Sequence, residues 1–405
     1  MSLFAYAALA VKIGVNLQKG QILVVQSPIE CSVFAREIAE AAYDAGAKDV
    51  VIIWNDEIFQ KLRFEKADIS VFDEFPKWKK DMFEGYAENG AAFITIAASD
   101  PEIMKYADKE KLARNKKTTG AALISYRERL MSNKNRWCVV SYPTLAWAKK
   151  VFPDLNGEDA YSALENAIYK AARAEENPET EWKKHIAELK KRVDFLNGHN
   201  FKALKYKNSR GTDLTIALAK NHIWAGGAEI AEDGVEFAAN IPTEEVYTMP
   251  DREGANGVVY STKPLSYQGN LIEDFYIVFK DGKAVDFKAK KNENLLKQLL
   301  TTDEGASYLG EVALVPFDSP INKSGVLFFN TLFDENASCH LAFGKAYPTC
   351  IKGGENMDSV TLVKAGANDS ILHEDFMIGS PDLSVTGVKE NGEEVVVMKN
   401  GNFAF

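Results

Sequence analysis

The amino-acid sequence predicts an α/β fold in two parts: an N-terminal parallel α/β domain over residues 1–198 and a C-terminal mixed α+β domain over residues 199–405. Three observations carry this reading. At 405 residues the chain exceeds what one hydrophobic core ordinarily serves, so two domains are the natural division. The first half alternates short, nearly continuous apolar runs with helical patterns, as do strands of a parallel sheet covered on both faces. After the stop signal Asn197-Gly198 that alternation is replaced by paired strand patterns.

Residues 1–17 are amphipathic and lead into an apolar strand at 21–26; Ser27-Pro28 then sets up a helix over 31–45. A strand at 49–54, helical material over 69–86, strands at 92–97 and 137–140 and a helix over 179–196 continue the series. In the second half, strands at 201–207 and 212–217 flank Ser209-Arg210-Gly211. Residues 276–279 pair with 284–287 across Asp281-Gly282, a hairpin signal. A helix over 292–308 precedes the apolar strand that holds Glu311, and 383–388 with 395–398 form a closing hairpin. The sequence shows no internal repeat or low-complexity segment.

Composition excludes several functions. A net charge of -10 argues against nucleic acid as partner. The short basic clusters Lys79-Lys80, Lys116-Lys117 and Lys183-Lys184 have acids nearby and read as solvated helix faces. Cys31, Cys138, Cys339 and Cys350 lack Cys-x-x-Cys spacing, which suits reduced thiols better than a disulfide framework or structural zinc site. No apolar run approaches the roughly 20 residues that span a bilayer, and no leader pattern opens the chain, so the cytoplasm is the expected compartment. No glycine-rich phosphate loop follows any strand, leaving no nucleotide-binding residues to assign.

The chemistry concentrates in the second half. Of five histidines, two have acids close by: Glu335-Asn-Ala-Ser-Cys-His340 and His373-Glu374-Asp375. Neutral imidazole with carboxylate suits zinc, cobalt or manganese. Glu245, in Ile-Pro-Thr-Glu-Glu-Val, and Glu311, in Leu-Gly-Glu-Val-Ala-Leu-Val, are carboxylates in apolar settings, costly to bury unless a positive charge compensates them. In an extended segment His373 and Asp375 face one side and can meet one ion, with Glu374 turned outward. Taken alone, that segment reads equally as a surface loop, His340 as a packed core histidine and Glu311 as a solvent-facing edge residue. Glu335 and His340, placed on a helix beginning at Thr331, lie roughly 140° apart and share an ion only if that helix is irregular. Tyr347, seven residues past His340, reads by itself as a packed ring. His185 on a lysine-rich helix, His199 at the domain junction and His222 before Ile223-Trp224 read as structural, and replacing His185 is expected to do almost nothing.

Several longer motifs in order carry a resemblance: Asn240-Ile-Pro-Thr-Glu-Glu-Val-Tyr-Thr248, Thr302-Asp-Glu-Gly305, Leu309-Gly-Glu-Val-Ala-Leu-Val315, Asn330-Thr-Leu-Phe-Asp-Glu-Asn-Ala337 and Phe376-Met-Ile-Gly-Ser380. Over essentially its whole length the chain resembles the bacterial metal-dependent aminopeptidases, the group of aminopeptidase T, aminopeptidase S and PepS. The resemblance implies a homodimer that removes N-terminal residues from peptides through a water held between two divalent metals, zinc or cobalt, with manganese and magnesium compatible. It implies metal ligands Glu245, Glu311, Glu335, His340, His373 and Asp375, with Glu311 bridging and also a candidate base. Tyr347 matches an active-site tyrosine of that family; in the expected reaction it would donate to the developing oxyanion, and a nearby acid such as Glu244 would hold the substrate amine. Where the relatives carry an apolar residue, this chain has Glu374. The alternatives are a two-metal amidohydrolase or phosphoesterase, disfavoured because the ligand segments hold few cations beyond Arg252 and Lys345, and a noncatalytic α/β binding protein.

Overall fold

The computed structural model describes residues 2–405; Met1, the first residue of the amphipathic opening stretch, lies outside the described residues. That stretch is a helix, Leu3–Leu9, widening into a π turn at Ala10–Gly14. The chain forms two compact units. The first holds residues up to Lys184 together with Ala228–Pro242 and Leu327–Leu332; the second holds His185–Gly227, Thr243–Val326 and Phe333–Phe405. The division falls inside the helix Pro178–His199. That helix stops where Asn200 takes a left-handed conformation (φ 47°), a common way to satisfy the last carbonyls.

The first unit is built on a parallel sheet in the order Asp49–Asn55, Ile22–Pro28, Ala92–Ile96, Trp137–Val140. The interior strand Ile22–Pro28 is apolar on both faces, with Leu23, Val24 and Val25 wholly buried. The helix Ser32–Asp44 turns Phe34, Ala35, Ile38, Ala41 and Ala42 inward, the stripe its spacing predicts. The helical material expected over 69–86 is a short 3-10 turn, Ile69–Phe72, and a separate helix, Lys77–Glu88, because Pro76 disfavours a helical conformation in the residue before it. A helix at Glu57–Lys66 was not anticipated; its signal was Asp56, whose carboxylate caps the Phe59 amide at 2.9 Å. Residues 327–332 join this unit through buried bonds: the Trp147 indole donates to the Phe328 carbonyl, and Asn330 Nδ2 to the Ala97 carbonyl at 3.1 Å. Among the described residues no helix is long and apolar enough to cross a membrane.

The second unit contains a nine-stranded antiparallel sheet and a four-stranded one. The expected hairpins belong to the larger. Strands Asn270–Lys280 and Lys283–Lys291 turn at Asp281 and Gly282, both with positive φ as this tight turn requires. Strands Ser384–Val388 and Glu394–Lys399 form the other. The helix expected over 292–308 ends early, at Glu293–Leu300, with a 3-10 turn at Gly305–Ser307. There the Thr301 and Thr302 hydroxyls bond back to the Lys297 and Gln298 carbonyls, competing with helix continuation.

The smaller sheet carries the chemistry. Its order is His373–Met377, His340–Gly344, Leu309–Leu314, Val246–Thr248, all antiparallel. His340 therefore opens a strand and does not lie on the helix assigned to it from sequence. The Thr331–Asp334 helix gives way to a 3-10 turn at Glu335–Ala337, and Ser338 is already extended (φ -161°, ψ 149°). The angular objection to Glu335 and His340 acting together lapses with the helix.

Candidate metal centre

Pairing and alternation determine which side chains meet. Glu311 pairs with Ala342, which pairs with Asp375; Ala313 pairs with His340, and Gly344 with His373. Side chains two apart share a face, so Glu311, His340, His373 and Asp375 all project from one side of three adjacent strands. The opposite side packs Leu341, Phe343 and Phe376 into the hydrophobic core, where Phe343 and Phe376 stack at 4.6 Å. Ala342, directly between Glu311 and Asp375, contributes only a methyl group and leaves room between the carboxylates. Glu311 is 5% exposed on an interior strand, which removes the solvent-facing edge reading. Glu374 turns to the other face as alternation demands, but it is half-buried and its charge acts on the Tyr267 phenol.

Two groups of ligand atoms result, Glu245–Glu311–His340 and Glu311–His373–Asp375, each with its atoms within 4.8 Å of one another. Glu311 belongs to both. His340 Nε2 lies 3.0 Å from Glu245 Oε2 and 3.5 Å from Glu311 Oε1. His373 Nε2 lies 3.7 Å from Glu311 Oε2 and 3.5 Å from Asp375 Oδ1. Each imidazole is oriented from behind: His340 Nδ1 donates to the Ser338 carbonyl at 3.0 Å, and His373 Nδ1 to the Lys345 carbonyl at 2.7 Å. That leaves each Nε2 to face the carboxylates as a donor of electrons, the arrangement typical of metal-bound histidine.

The electrostatics are those of a dense buried cluster of acids and imidazoles. Burial raises the Glu311 pKa even though His340 and His373 oppose it. Burial likewise pushes Glu335 well up, reinforced by Asp375 and Glu245. Glu335 lies outside both ligand groups, and its carboxyl hydrogen-bonds to Asp375. Burial works against charge on both histidines, yet Glu245 and Glu311 raise His340 well above its usual value. Asp375 and Glu311 push His373 up to about 10. The buried Asp375 Oδ1 has no hydrogen-bond partner, an acceptor that a cation can take up. The donor set, carboxylate oxygens with imidazole nitrogens, suits zinc or cobalt. Tyr347 follows the His340 strand, its ring 5.1 Å from that of His373, and burial first, then the carboxylates, raise its pKa well above normal. It keeps its proton at neutral pH and can donate it.

Two neighbours escaped sequence reasoning. His185 is nearly buried: Nε2 donates to the Thr243 carbonyl at 2.7 Å and lies 3.8 Å from Glu244 Oε2. Its signal was its place on the stripe Trp182, Leu189, Leu196, all wholly buried. Glu244, considered from sequence for the substrate amine, is thus turned towards His185 while Glu245 meets His340. The other is Asn336, fully buried beside Glu335, which nothing in a run of polar residues distinguished.

Buried carboxylates sharing one glutamate between two imidazole-bearing groups are compatible with a metal-binding centre. The profile of the thermophilic metalloprotease family (M29) matches residues 1–403; the chain belongs to that family and is a hydrolase. It is 49% identical over 401 residues to aminopeptidase AmpS of Bacillus subtilis, covering 99% of this chain and 98% of that one. It is 47% identical over 401 residues to aminopeptidase 2 of Geobacillus stearothermophilus, covering 99% and 97%. The solved structure of wild-type AmpT from Thermus thermophilus superposes with a TM-score of 0.93 at 39% identity, covering 100% of this chain and 99% of that chain. The mixed α/β fold class holds, and the noncatalytic reading falls.

Proposed function

We propose that this protein is an aminopeptidase that removes N-terminal residues from peptides with two divalent cations, zinc or cobalt. One would be held by Glu245, Glu311 and His340, the other by Glu311, His373 and Asp375, with Glu335 beside them. The observation that supports this reading is the membership of Glu311 in both ligand groups. Four carboxylates, Glu245, Glu311, Glu335 and Asp375, match the charge of two divalent ions, with one imidazole for each. Bound there, the ions would lower the pKa of a shared water towards neutrality and polarise the scissile carbonyl.

This chain's residues do the rest. Ser338 and Lys345 carbonyls hold the two rings so that each Nε2 points inward. Glu335, which lies beside both ligand groups without belonging to either, would accept a proton from the nucleophile and pass it to the departing amine. Tyr347 donates its hydroxyl proton in a hydrogen bond to the developing oxyanion. We propose in addition that it acts as a homodimer in the cytoplasm; sedimentation velocity checks the first. The deciding experiment is hydrolysis of a leucyl anilide beside its N-acetylated form, before and after chelation. Cleavage of the free-amine substrate alone, lost on chelation and restored by zinc or cobalt, is expected. Full activity in metal-free enzyme refutes the reading.

A further inference from the structure

Glu245 and Glu335 come from segments far apart in sequence, and neither lies within one of the three strands that set the other ligands. Glu245 immediately precedes the strand Val246–Thr248, and Glu335 lies in a 3-10 turn. Something must fix these two arms relative to each other, and one buried side chain touches both. Asn336 is wholly buried. Its Oδ1 accepts from the Glu244 backbone amide at 2.7 Å, next to Glu245, and its Nδ2 donates to Glu335 Oε1 at 3.4 Å. The orientation of the carboxamide follows from its neighbours: a backbone N–H can only donate, so it faces the oxygen, and the nitrogen then faces the carboxylate. Its own backbone is held as well, since Ser319 Oγ donates to the Asn336 carbonyl at 2.7 Å.

We infer that Asn336 is a positioning residue that sets the Glu245 and Glu335 arms at one spacing, so that cation affinity at the centre depends on a side chain that need not touch a cation. The inference rests on the two-cation reading above. No other side chain type does both tasks at that size: leucine has the shape without the polarity, and aspartate keeps an acceptor for Glu244 but sets a second negative charge against Glu335.

The test compares wild type, Asn336→Ala and Asn336→Asp, each stripped with chelator and titrated with zinc, with melting followed in metal-free and metal-loaded protein. A purely structural role lowers both melting temperatures equally. A positioning role also shrinks the gap between them, because the gap reports metal affinity. We expect metal affinity to fall about 10–100-fold in both variants, as for other groups that orient ligands, with kcat reduced more than KM. Asn336→Asp should keep the metal-free melting temperature nearer to wild type than Asn336→Ala. Wild-type zinc affinity in both variants overturns the inference, however much either is destabilised. Failure of the wild type itself to bind two ions overturns the underlying reading instead, so the two failures are told apart.

Discussion

Glu311 lies in a strand with all six residues buried, an inhospitable place for a carboxylate. A charge there persists only when paired, and removing one member of such a cluster leaves the others uncompensated. Glu311→Gln is therefore expected to lose metal at both positions and with it activity; His340→Ala should empty one position. Elemental analysis after dialysis beside a kinetic assay measures both effects. Tyr347→Phe removes a hydroxyl donor and no ligand. It should retain both ions and the fold while kcat falls about 10²–10³-fold. The ordering is the test: metal loss in Tyr347→Phe combined with activity in Glu311→Gln would show the roles to be misassigned.

Among the elements, the helix Pro178–His199 reaches the centre at one point. His185 donates to the carbonyl of Thr243, two residues before Glu245. His185→Ala should therefore be far from silent. It strands a buried carbonyl, at a cost of about 1–3 kcal/mol in unfolding free energy, and loosens the Glu245 arm, so activity should drop more than fold stability explains. Denaturant melts and kcat on the same preparation check this; unchanged values in both would return His185 to the peripheral role its lysine-rich surroundings suggest. The same element shows what sequence reveals and what it hides. Strands were legible because their period is short and their ligands, His373 and Asp375 or Glu311 within its apolar run, alternate within one segment. The Glu335–His340 relation was not, because a 3-10 turn interrupts the helix and neither residue type announces it. The Asn336 and His185 contacts join segments far apart in sequence, and no local pattern encodes them.

For the molecule as a whole, metal and proton compete for the same atoms. In metal-free protein His340 and His373 hold protons more tightly than in the unfolded chain, His373 up to about 10. Groups raised in this way contribute stability that is fully present below the unfolded pKa of about 6.5 and is lost as pH climbs through the folded value. Glu311 and Glu335 are raised as well and act in the same direction from about pH 4.3 upward. Asp375 is lowered, and its contribution is lost only on acidification below the usual carboxylate range. Cations displace those protons, so their affinity should rise with pH. The melting-temperature gap between zinc-loaded and chelated enzyme should widen from about pH 6 to pH 9. Calorimetric scans at fixed free zinc measure it, and a gap that narrows with pH would mean the imidazoles are not ligands.

The pairing of Glu311 with Ala342 and of Ala342 with Asp375 places the chemistry in a single phase of a two-beat pattern, with the core in the other phase. Substitution can remove one note of that pattern. Slipping the strand His373–Met377 by one residue against its neighbour would exchange the whole bar, turning Glu374 to the side of Glu311 and sending His373 and Asp375 to the side of Phe343. A lineage carrying this centre can drift in composition along these strands, but it has almost no freedom in their length. Insertions and deletions must instead be absorbed in the connections, such as the long excursion between Gly344 and His373.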